Sequence, residues 1–225
     1  MKKIILIFFS LLLFAYQNNN YSSILKDRLN NGKVFSETKN TKYFFNSYEE
    51  YLKYIRDIQT AATLDKAYYF YLGLLYFNNV TIKNGPTIKA DINKALYYFR
   101  KSNTPLSAYY IALILTSKGQ IFSALKILEE KLKNLDKGEG YNLLAFEYAV
   151  IVLDNLPETK PFLKKAIKFM ENVDYTPLNG YVFANLLYFS GDVKKADEVI
   201  NVVCKSNNKS VKKLCQNSPF LERIK

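Results

Sequence analysis

Thr104-Pro105-Leu106-Ser107-Ala108-Tyr109-Tyr110-Ile111-Ala112 returns 72 positions later as Thr176-Pro177-Leu178-Asn179-Gly180-Tyr181-Val182-Phe183-Ala184. The match continues without gaps: Leu115 with Leu187, Gly119 with Gly191, Ala124 with Ala196, and Ile127-Leu128 with Val199-Ile200. Repeats decide an architecture before any other signal does. An offset of 72 is two units of 36 residues, the length of a helix-turn-helix repeat. Each copy makes sense as a helical hairpin. Thr104 and Thr176 are good N-caps, and Pro105 and Pro177 follow at the first helical position, where a missing N–H costs nothing. Gly119 and Gly191 fall where the first helix must stop and turn. The small pairs Ala112/Ala124 and Ala184/Ala196 would let the two helices of a hairpin pack closely.

Two further hairpins fill the register, Tyr68–Phe77 with Ile92–Ser102 and Tyr141–Leu153 with Pro161–Glu171. The small residues of the four first helices would be Gly73, Ala112, Ala149 and Ala184. The third hairpin matches least well, and a different pairing there stays open. Ser47-x-x-Glu50 reads as a capping box opening a helix with Tyr48, Tyr51, Leu52, Ile55 and Ile58 on its apolar face. At the other end, Lys209 to Cys215 would form a short helix folded back on the fourth hairpin.

Leu72-Gly73-x-x-Tyr76, followed by Asp91-x-x-Lys94-Ala95 and Tyr98, resembles a Sel-like repeat, and Asp192-x-x-Lys195-Ala196 repeats its second half. The second and fourth hairpins look more like tetratricopeptide units. The turn from Asn78 to Ala90 departs from the pattern by its length. The resemblance implies an all-α fold: a right-handed α-solenoid of about four hairpins with capping helices at both ends. The expected organisation is a signal peptide at 1–16, an irregular segment at 17–45, a capping helix at 46–64, the repeat array at 65–205, and a C-terminal capping helix and tail at 206–225.

Composition fits long helices. Glycine (8) and proline (6) are sparse among 225 residues, and 49% of the chain is hydrophobic. Met1-Lys2-Lys3 followed by the uncharged run Ile4–Ala15 reads as a secretory signal, because about a dozen apolar residues fall short of the roughly 20 needed to span a bilayer. Export to a periplasm or the exterior is expected, with cleavage and retention as an anchor both open. Cys204 and Cys215, in an exported chain, suggest a disulfide, with two buried thiols as the alternative.

The chain carries +12 from 32 basic and 20 acidic residues. In an exported protein the anionic neighbours would be lipid headgroups, cell-wall polymers or acidic proteins rather than nucleic acid. Lys164, Lys165, Lys168, Lys194 and Lys195, with Lys205, Lys209, Lys212 and Lys213, could form a basic outer end, although a solvated face is the better account of such lysines.

No histidine occurs anywhere, which removes triads and the commonest metal ligand. Glu129-Glu130 are adjacent and point apart on a helix, and neither phosphate-cradling glycine loop is present. A carboxylate pair assembled in space stays open. No enzyme activity, cofactor or metal is expected. In a superhelix of this kind the first helix of each hairpin would line the concave face, placing Phe70, Tyr109, Phe146 and Tyr181 at one equivalent position, extended by Asn185, Tyr188 and Phe189. These are the candidate partner-binding residues, with core packing as the competing explanation. The expected function is a scaffold or adaptor holding a protein or peptide partner on that concave face, in an envelope complex. The alternative is a structural envelope protein whose basic convex side touches anionic membrane or cell wall.

Overall fold

The structure, a computed structural model, describes residues 43–216. The expected signal peptide (1–16), the segment expected to be irregular as far as residue 42, and the tail from residue 217 lie outside the described residues. Among the described residues the fold is all-α, with ten α-helices and only two strands of two residues each. The chain divides into two compact units, meeting between Ile127 and Leu128.

The first unit begins with β1 (Phe44–Phe45) and α1 (Tyr48–Leu64). The Ser47 hydroxyl accepts from Glu50 N at 3.1 Å, while the Glu50 carboxylate reaches back to Asn46 N at 2.6 Å, so the capping box forms with its return bond one residue early. The helix runs six residues beyond Ile58, to Leu64. A 3₁₀ turn (Lys66–Tyr68), N-capped by Asp65, leads into α2 (Tyr69–Phe77).

The long turn after α2 has a structural use. It contains β2 (Thr81–Ile82), which pairs in parallel with β1, Phe44 opposite Thr81 and Phe45 opposite Ile82. Thr81 N donates to Tyr43 O at 2.9 Å and Lys83 N to Phe45 O at 2.8 Å, and a bridge from Val80 to Ile88 closes the turn on itself. Phe45 is fully buried with Tyr51, Leu75, Val80 and Ile82. The end of the segment expected to be irregular is therefore ordered and part of the core.

Next come α3 (Ile92–Ser102), α4 (Pro105–Ser117) and α5 (Ile121–Leu132), the last of which contains the unit boundary. The Thr104 hydroxyl caps Ser107 N at 3.2 Å, a bond worth about 1 kcal/mol, and Gly119 takes the left-handed conformation, φ 72°, that ends α4. Helix α2 packs chiefly on α3, and both pack on α4. Gly73 permits this: a Cβ there would lie 2.3 Å from the ring of the fully buried Phe99.

The second unit contains α6 (Glu139–Asp154), a 3₁₀ turn (Lys160–Phe162), α7 (Leu163–Met170), α8 (Pro177–Ser190), α9 (Val193–Cys204) and α10 (Lys209–Gln216). Helix α6 packs on α7, the two pack on α8, and α8 packs chiefly on α9. Thr176 caps Asn179 N at 3.1 Å, and Gly191, φ 97°, terminates α8. Gly180 gives α9 the same clearance that Gly73 gives α3, since a Cβ there would meet Val203 Cγ2 at 2.6 Å. The Cys204 and Cys215 sulfurs are bonded across a Cα separation of 5.8 Å, tying α10 to the end of α9. Val211 and Cys215 enter the core made by Tyr181, Ala184, Leu187, Ala196, Ile200 and Val203.

Helices α4, α6 and α8 are apolar round most of their circumference and are buried accordingly. Helices α3, α7 and α9 are amphipathic, with a buried stripe and an exposed one. The amphipathic helices carry the solvent face.

Candidate functional site

The aromatic ladder expected on the surface is core. Phe70, Tyr109, Phe146, Tyr181 and Asn185 each expose no more than 8% of their area. Phe70 packs its ring against Phe99 and Tyr110, with centroids 5.7 and 5.8 Å away, and Tyr109 meets Tyr110 edge-on at 5.6 Å. Tyr181 lies in the second unit's core, and Asn185 spends its amide on Tyr181 O, four residues back, at 2.8 Å. Tyr188 alone of the six is half-buried, set edge-on to Phe189 at 5.5 Å. The physical reason is the apolar circumference of the helices that carry them. Those helices leave no polar stripe to face water, so their aromatic positions point into packing.

The proposed basic end is also partly neutralised. Lys165 and Lys133 both reach Glu129 at 2.8 Å, and Lys195 reaches Glu171 at 3.5 Å. The two ammonium groups hold the Glu129 carboxyl below its ordinary range, with the hydrogen bond from Lys133 the largest cause.

The exposed stripe of α3 presents a different surface. Asp91 caps the helix by accepting from Lys94 N at 3.0 Å, and Asn103 closes it in the left-handed region. Ala95, Leu96, Phe99 and Ser102 face inward. Asn93, Lys94, Tyr97, Arg100 and Lys101 consequently share the outer face, at spacings of three and four residues. An open depression is lined by Asn93, Leu96, Tyr97, Arg100 and Lys101. Tyr97 is 53% exposed and stands edge-on to Tyr98 at 5.1 Å; Tyr98 in turn stacks on Tyr76 at 5.4 Å and Tyr69 at 6.0 Å.

The Lys101 ammonium lies 4.7 Å from the Tyr97 centroid and 5.1 Å from that of Tyr69, and Lys94 lies 5.2 Å from Tyr76. These are cation–π distances. A hydrogen bond with Tyr97 raises the pKa of Lys101, and burial pushes the Tyr76 phenol up to about 12, so the site stays cationic across the neutral range.

One carboxylate in the second unit is displaced from its ordinary titration. Asp154 closes α6, and its Oδ1 is buried without a hydrogen-bond partner. Burial first, and the Glu147 carboxylate two helical turns back second, push its pKa up to about 8. Among the described residues no group of three or more ligating side chains could hold a metal.

Comparison of the chain with protein-family models, with curated proteins and with solved structures gave no match. In the sequence the α3 stripe is hidden, because Tyr76, Lys94 and Tyr98 read as signature residues of a Sel-like repeat. The signal that could have found it is the acid-free run Asn93 to Lys101 on the polar face of a strongly amphipathic helix.

Proposed function

We propose that the chain is an exported helical-repeat scaffold, a right-handed α-solenoid of about four tetratricopeptide- or Sel-like hairpins, that holds a protein partner in an envelope complex. The observation that carries this reading is the recurrent packing rule. In the first unit α2 rests on α3 and on α4, and α3 also touches α4; in the second α6 rests on α7 and on α8, and α7 also touches α8. Stacking of this kind builds an extended surface from local contacts alone, which suits holding a partner better than enclosing a substrate. The bonded cysteines support an oxidising compartment, in keeping with the signal-like N-terminus.

Burial of the aromatic ladder moves the proposed contact surface. The second helices of the hairpins carry the exposed side chains, including Phe122 of α5 and Val202 of α9, together with Tyr175 ahead of α8. The reading assigns no reaction to the chain.

Crosslinking the tagged full chain in cells, with the crosslinked peptides mapped by mass spectrometry, tests it. One recurrent protein is expected, joined through lysines of α5, α7 or α9, and lost when Tyr175 and Val202 are both changed to Ser. Crosslinks confined to the chain itself, or scattered over abundant proteins and unaffected by the double change, would overturn it.

A further inference from the structure

Two cations of α3, Arg100 and Lys101, stand on one exposed face with no carboxylate partner among the described residues. Lys94 has Asp91 at 3.6 Å, but Lys101 has only aromatic faces and the Tyr97 hydroxyl, and Arg100 has no ion-pair partner among the described residues. Beside them stands Tyr97, an aromatic ring more than half exposed. The 3₁₀ turn that presents the exposed Tyr68 packs on the same helix.

We propose that this face of α3 docks the protein on an anionic phospholipid surface, with Arg100 and Lys101 on lipid phosphates and the Tyr97 ring at headgroup depth. Three observations converge on that occupant. The charge is complementary and unspent, and a guanidinium matches phosphate oxygens bidentately. Tyrosine, apolar in its ring and polar at its tip, is at home at the level of lipid headgroups. The depression is open and its lining comes from a single helix, which suits a broad charged plane. A peptide would need enclosed pockets for anchoring side chains. The inference does not depend on the protein-binding reading, and either can fail alone.

The chain contains no tryptophan, so Tyr97→Trp installs a unique reporter on α3. The full-length variant, checked by circular dichroism, is mixed with phosphatidylglycerol–phosphatidylcholine vesicles and, separately, with vesicles of phosphatidylcholine alone. A blue shift of the tryptophan emission with the anionic vesicles only, reversed by high salt, is expected. In the otherwise native chain, Arg100→Gln and Lys101→Gln should each weaken vesicle co-sedimentation about five-fold, the effect of one cation near an anionic surface.

Vesicle binding that leaves the reporter unshifted would mean that the chain attaches elsewhere, through its N-terminal apolar run for example, and would overturn the proposal. Co-sedimentation unchanged by both glutamine variants would overturn it too, even if the tryptophan variant failed to fold. A shift with soluble polyglutamate and none with vesicles would reassign the face to an acidic peptide.

Discussion

On α3 the Lys101 ammonium rests over two tyrosine rings and Arg100 meets no carboxylate, whereas in the second unit Lys133 and Lys165 close on Glu129, and Lys195 pairs with Glu171. Arg100 and Lys101 lie on amphipathic α3, Lys165 on amphipathic α7 and Lys195 on amphipathic α9, each helix with a buried apolar stripe and more than one basic residue. The difference lies in what the neighbouring sequence offers. Around Lys165 a glutamate is within reach, so its charge is internally satisfied. Around Lys101 the neighbours are tyrosines, which orient a cation without neutralising it. Counting lysines along the chain therefore locates charge but not availability.

The two units can be set against each other by perturbing one and watching both. The largest effect is expected from removing the bridge. Cys204→Ser with Cys215→Ser frees a closed loop of about a dozen residues and should cost the second unit about 3 kcal/mol. Urea unfolding followed by hydrogen exchange should place that loss beyond Leu128 and leave the first unit's protection unchanged.

Next comes the counterpart in the first unit. Gly73→Ala drives a methyl into the Phe99 ring, which is buried and has no room to swing away, at a cost of about 2–3 kcal/mol. Equal loss of protection in both units after either change would show that they unfold as one, and would erase the comparison.

Asp154→Asn should act in the opposite direction. The folded pKa of this carboxyl is about 8, against about 3.9 when unfolded, so ionisation penalises the fold increasingly as pH rises from about 4 to about 8 and levels off above that. The amide abolishes the penalty. The gain should be largest near pH 8 and fade to nothing near pH 4, as read by chemical denaturation across that range. A gain that does not vary with pH would mean that Asp154 is already ionised in the fold.

The smallest effect belongs to Glu129→Gln. Its depressed pKa contributes stability at neutral pH that is lost as pH falls through the folded value, but its lysine partners remain wetted and screened. No more than about 1 kcal/mol should be lost, and the loss should shrink in salt.

The sequence was most legible where a residue's backbone chemistry speaks for itself. Thr104, Thr176, Gly119 and Gly191 mark the helix ends where the structure has them, and Ile92–Ser102 coincides with α3 residue for residue. It was least legible where meaning depends on what lies across the interface. Gly180 reads as an unhelpful glycine inside a helix, and only the closeness of Val203 explains it. Phe44 and Phe45 look like the end of a polar leader until Thr81 and Ile82 come alongside. The aromatic ladder was visible as periodicity, but the same periodicity serves a core or a surface. The discriminating fact was available: Pro105–Ser117 and Pro177–Ser190 contain no charged residue, and a helix with no polar stripe is buried on all sides.

The strap formed by β1 and α1 also bears on how this architecture could change length. If the proposed repeat reading holds, each new hairpin would need only a neighbour to lean on. Ahead of α2 that place is taken: α1 packs there, and Phe45 is locked against Leu75 by a ladder that joins residues 44–45 to residues 81–82. A hairpin spliced in before Tyr69 would have to displace the strap and strand Phe45 in water. The ladder between residues 44–45 and 81–82 therefore makes the junction ahead of α2 intolerant of inserted chain.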